Sequence, residues 1–151
     1  MPMIGSKNMN SPTTQQNIPG EIKVSIRLKL AGLWTSFMFL YIYVDYFHLY
    51  MPGSLNDMSA GKVFTFQVTQ TFLLVTLISV MIPALMIFFS IGLPARVNRI
   101  TNIIVAALYI PYTLFNLAGE AWIHMIFGAI VEVILLSLVI RYASKWPRLE
   151  R

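Results

Sequence analysis

Residues 30–51 read LAGLWTSFMFLYIYVDYFHLYM, and this stretch decides the fold. At about 1.5 Å of rise per residue it is long enough to cross a hydrocarbon core of roughly 30 Å as a single helix. Pro52 and Gly53 stop it. Two ionisable residues interrupt the apolar run. Asp45 and His48 are three apart, so they share a helix face near the Met51 end. An ionisable pair inside a spanning segment is costly and marks a candidate site.

The whole chain has the composition that this stretch implies. Of its 151 residues 57% are hydrophobic and only 11% charged, with a mean hydropathy of +0.69. These values fall outside the range of soluble domains and predict a membrane protein of a few helices packed against each other and lipid. There is no cysteine, which excludes disulfides, thiolate metal sites and Cys nucleophiles. The net charge of +5 would suit nucleic acid, but its distribution follows membrane topology instead.

Upstream, residues 1–20 are rich in Ser, Pro, Thr, Asn and Gln without apolar periodicity, and read as a disordered tail. No cleavable signal peptide is evident, because the first long apolar run is of spanning length. Residues 21–30, EIKVSIRLKL, alternate as a strand would, yet they also set Ile22, Ile26, Leu30 and Leu33 on one helical face. A lone strand at a membrane surface leaves its edges unpaired, so the segment reads as a basic interfacial helix leading into the first span.

Downstream, three more apolar runs cover about residues 66–93, 100–117 and 121–142. The second contains Pro83, which demands a kink and a neighbour that tolerates it, and the third contains Pro111. Residues 117–120 make a tight turn with Gly119 suited to a helix C-terminus. The expected architecture is therefore an all-α, four-span bundle over residues 21–147, with a tail at 148–151. Ten of the eleven Lys and Arg fall before the first span, between the second and third, or after the fourth, leaving Lys62 alone on the other side. The positive-inside rule then places both termini in the cytoplasm. Trp34, Trp122, Trp146, Tyr50 and Tyr142 near the span ends suit aromatic belts. Residues 52–65 form the only sizeable external segment, a connector or a lid.

This topology gathers polar residues toward the external side: Asp45 and His48, Gln67 and Gln70, Asn116, Glu120 and His124. Gln67 and Gln70 share a helical face, as do Glu120 and His124. With those faces turned inward they form one polar pocket, in which Asp45 and His48 meet Glu120 and His124 across the first and fourth helices. A structural clasp, a proton- or cation-handling site and a metal site all fit. For a metal, Asp45, His48, Glu120 and His124 supply suitable ligands in a weak sequence pattern. Glu132 lies about 18 Å along the fourth helix from Glu120 and must be protonated or paired, with Tyr109 and Asn102 as candidate partners. Small residues Ala106, Ala107, Gly128 and Ala129 favour close approach of the third and fourth helices. Arg96, Asn98 and Arg99 form a basic inner turn suited to anionic lipid headgroups. No phosphate loop, nucleophile elbow or zinc-protease motif is present, so a non-enzyme is favoured, and no cofactor is implied.

LWTSFMFLYIYVDYFHLYMPGSL at residues 33–55, SAG at 59–61, LPARVNRITNII at 93–104 and FGAIVEVILL at 127–136 resemble an uncharacterised family of small bacterial four-helix integral membrane proteins. The resemblance implies a four-helix fold in the bacterial inner membrane and brings no activity. The leading expectation is a multi-pass protein whose external pocket binds a cation, proton or small polar ligand. The alternatives are a structural or partner-binding subunit and, third, an enzyme acting on lipid or quinone. Transport through four helices alone would require a homo-oligomer.

Overall fold

The computed structural model describes residues 24–63, 66–118 and 121–146. Four long helices dominate it: α1 (Ile26–His48), α3 (Gln70–Gly92), α4 (Ala95–Phe115) and α5 (Ile123–Ser144). Between α1 and α3 lie a short helix, α2 (Ser54–Ser59), and a two-stranded hairpin of β1 (Lys62–Val63) and β2 (Phe66–Gln67). The strands pair antiparallel, Lys62 opposite Gln67 and Val63 opposite Phe66. Gly53 and Gly61 bracket α2 with φ of 90° and 74°, a left-handed conformation open to glycine without strain.

Each long helix starts where local chemistry allows. The Ser25 hydroxyl accepts from the Leu28 amide and caps α1, so the helix begins at Ile26 rather than upstream. Of the expected upstream face, Leu30 is buried, and Ile26 and Leu33 pack against the core, while Ile22 lies outside the described residues. Thr69 caps α3 in the same way through the Phe72 amide. The second long helix thus begins at Gln70 and not near residue 66, where the chain is still in the hairpin.

The helices pack α3–α1–α5–α4, with α4 closing weakly on α3. Buried positions recur every three or four residues: Leu30, Trp34, Phe37 and Tyr41 on α1, Asn98, Asn102, Ala106, Tyr109 and Thr113 on α4, and Met125, Ala129, Glu132, Leu136, Val139 and Ala143 on α5. A Cβ at Gly128 would sit 2.5 Å from Val44 Cγ2, so the small residue there fits α1 against α5, not α4 against α5. Ala106 is buried as expected, but Ala107 is exposed. The outside is apolar: Leu73, Leu77, Met81, Leu85 and Phe88 of α3 are all exposed, as are Leu108 of α4 and Ile130 of α5. α1, α3 and α5 are long and apolar enough to cross a membrane.

Candidate functional site

The interior holds two polar clusters. One lies at the basic end, where α1 and α4 begin and α3 ends. Pro94 has no N–H, so the Ser90 carbonyl in the last turn of α3 lacks its helical donor. The Asn98 amide nitrogen donates to that carbonyl at 2.7 Å. Asn102 donates in turn to the Asn98 side-chain oxygen at 2.6 Å and to its carbonyl at 2.9 Å. The Asn102 oxygen accepts from Trp34 Nε1 at 2.7 Å and from the Ser90 hydroxyl at 3.2 Å. Trp34, Ser90, Asn98 and Asn102 are all fully buried. Arg27 completes the end of α3 by donating to the Ile91 carbonyl at 2.7 Å. Three expectations change here. Trp34 is a buried donor rather than a belt residue, Asn98 is buried rather than part of a basic surface turn, and Asn102 serves this network instead of Glu132.

The second cluster lies further along, around Pro83. A proline at this position leaves the Ser79 carbonyl without a helical donor, and the Tyr109 hydroxyl donates to it. Tyr112 donates to the Ser79 hydroxyl at 3.1 Å and lies 3.4 Å from the Tyr41 hydroxyl. Tyr41 and Asp45 are four apart on α1 and so share a helix face. Glu132 is buried and accepts a hydrogen bond from Thr113 at 3.2 Å. Thr113 rather than Tyr109 is its partner because α4 and α5 run antiparallel in a register that sets Thr113 opposite Glu132. The same register brings Leu136 to the level of Tyr109 and Ala143 to that of Asn102.

The residues expected to form the polar pocket are distributed differently. Gln67 is exposed in β2 and Gln70 is exposed at the first turn of α3, so they do not share an inward helical face. Asn116 is exposed just beyond α4. Asp45 keeps solvent access on α1, and His48 and His124 are half-buried. Glu120 lies outside the described residues, and among those described no three of His, Asp and Glu gather as metal ligands. The cleft at this end, about 390 Å³, is lined by Phe47, Tyr50, Met51, Trp122 and His124, so its wall is mainly aromatic and apolar. Arg96 is exposed and Arg99 half-buried at the start of α4.

Sequence reading asked for a neighbour to tolerate Pro83 but passed over which carbonyls the prolines leave open. Pro83 and Pro94 each leave a carbonyl four residues earlier in need of a donor, and Ser79 and Ser90 are the residues that carry those carbonyls. The Asn98–Asn102 pair, four apart, was the matching half of that signal.

Polar groups inside, apolar side chains outside and three helices of spanning length define a helical protein built to be compatible with membrane insertion. The chain belongs to DUF6326, a family of unknown function whose model covers residues 21–150. No curated protein and no solved structure matches it.

Proposed function

We propose that the chain is a four-span integral protein of a bacterial inner membrane with both termini cytoplasmic, and that Asp45 and Glu132 together take a cation, a proton being the smallest, from the external side. One observation carries this reading. Two carboxylates stand on the neighbouring helices α1 and α5: exposed Asp45 follows Val44, which packs on Gly128, and buried Glu132 lies one turn along α5 from that glycine. Tyr41, one turn before Asp45 on α1, and Thr113, which donates to Glu132, add hydroxyl groups. In an apolar bundle such a pair is expensive unless a cation shares it. The hydroxyl relay from Tyr41 through Tyr112 to Ser79 extends the polar region inward, and the buried Phe37, Met86, Ala106 and Leu136 separate it from the basic end. On this reading the site takes its ion from the external side. At the basic end Arg96 and Arg99 face anionic lipid headgroups.

A second reading, a scaffold or partner-binding subunit, draws on the basic-end cluster, where every side chain is satisfied by protein and none points to a ligand. Infrared difference spectra of the purified protein, recorded as the pH is stepped, separate the two. The cation reading expects a carboxylic-acid band that titrates, disappears in Glu132→Gln and shifts in Asp45→Asn. A spectrum without such a band, or with one indifferent to both changes, leaves the scaffold.

A further inference from the structure

At the basic end, the seam between the start of α1 and the end of α5 carries two cations seated on aromatic rings. Lys29 Nζ lies 5.5 Å from the centre of the Tyr142 ring, and Arg27 Cζ lies 5.9 Å from that of Trp146, both within cation–π reach. Tyr142 and Trp146 are four apart and share a face of α5, and Lys145 follows Tyr142 by three residues, on the same side of the helix. Arg27 is already engaged, since it donates to the Ile91 carbonyl of α3. Lys29 and Lys145 are exposed, and among the described residues neither ammonium meets an acceptor. The described carboxylates stand elsewhere. Glu132, the nearest along α5, is about 20 Å from Lys145 by helical rise, and Asp45 is about 24 Å from Lys29 along α1. In the whole chain ten of the eleven Lys and Arg flank this end, against Glu21 and Glu150 alone of the six acidic residues, so a large positive excess stands whatever those two meet.

We propose that this seam binds one anionic phospholipid of the cytoplasmic leaflet, with Lys29 and Lys145 on its phosphodiester above Tyr142 and its acyl chains remaining in the bilayer. Charge complementarity selects the occupant: exposed ammonium groups without a carboxylate call for an anion, and a phosphate oxygen accepts from each of them. A charge that serves topology alone needs no fixed position, whereas the Tyr142 ring holds the Lys29 ammonium in one place. Leu28, exposed beside Lys29, brings apolar surface to the same level, which suits a lipid rather than a polyanion in water. The proposal rests on the membrane reading above and extends it from Arg96 and Arg99 at the start of α4 to a defined site between α1 and α5.

The test titrates the full chain, purified in an uncharged detergent, into phosphatidylglycerol labelled with a fluorophore on one acyl chain, and separately into phosphatidylcholine labelled in the same way, following anisotropy. Phosphatidylglycerol should bind about tenfold more tightly, and the preference should vanish when Lys29→Gln and Lys145→Gln are combined, as the loss of two surface cations requires. Tyr142→Leu keeps every charge and should weaken phosphatidylglycerol several-fold, while Lys62→Gln, away from this end, should leave its affinity unchanged. Inorganic phosphate and polyglutamate, at matched charge, should displace little of the labelled lipid. Equal affinity for the two lipids, a preference that survives the double change, or one indifferent to Tyr142→Leu overturns the site. Full displacement by phosphate or polyglutamate assigns it to an anion in water and overturns the lipid. The comparison of the two lipids and the Tyr142→Leu result stand even where the double variant does not fold. Those failures in a protein with the expected membrane topology remove the seam proposal alone, whereas failed topology removes the membrane reading on which it rests.

Discussion

At the scale of single residues, the interior is held by polar side chains whose partners can be named. Asn102 is central to the basic-end cluster, because it accepts from Trp34 and Ser90 and donates to Asn98. Asn102→Leu leaves three buried polar groups short of a partner and should lower stability by about 1–3 kcal/mol. Trp34→Phe removes one donor while Asn102 keeps Ser90, and should cost less; unfolding of the detergent-purified variants gives the order. Glu132→Gln should fold and insert normally, since the amide can still accept from Thr113, whereas Glu132→Lys brings a cation to a buried position and should reduce membrane yield. Equal yields from the two changes would show that Glu132 is not held between helices. That Glu132 is buried was legible from its place in an apolar run. Its partner was not, because spacing along one helix does not reveal the register against the next, and Thr113 is chosen by that register alone.

At the scale of elements, the prolines explain which helices must touch. Pro83 frees the Ser79 carbonyl of α3 and Tyr109 of α4 fills the gap, while Pro94 frees the Ser90 carbonyl and Asn98 fills that one. The bonds at Ser79 and Ser90 tie α4 to α3, two helices whose backbones approach each other little. A double-mutant cycle exposes the dependence. Tyr109→Phe should destabilise the natural chain, but less so in a Pro83→Ala background, where the restored backbone N–H supplies the missing donor. A coupling of about 1 kcal/mol is expected, and strict additivity would mean that Tyr109 does not compensate the proline. The need for a tolerant neighbour was readable from Pro83 itself, and the four long helices from their apolar runs. The Gln67–Gln70 face was misread because the apolar run extends back through the hairpin, and only the Thr69 cap marks where the helix begins. Gly128 was read as serving α4 because sequence neighbours were taken as spatial ones, whereas Val44 of α1 fills that space.

At the scale of the whole molecule, α4 decides the topology: it is long enough to span but falls outside the set of apolar spanning helices. Its polar residues explain this. Asn98, Asn102, Tyr109 and Thr113 lie on the buried face and bond to α1, α3 and α5, while Val97, Ile100, Ile104, Leu108, Leu114 and Phe115 are exposed. An average along the helix counts inward polar groups against it, although lipid would meet only the apolar side. With α4 spanning, the chain crosses four times and its ends share a side; with α4 excluded, it crosses three times and they do not. Reporter fusions read this directly, placed after Arg151, within residues 96–98 and within residues 56–57. The account requires the first two to read cytoplasmic and the third external, and an external C-terminus would contradict it.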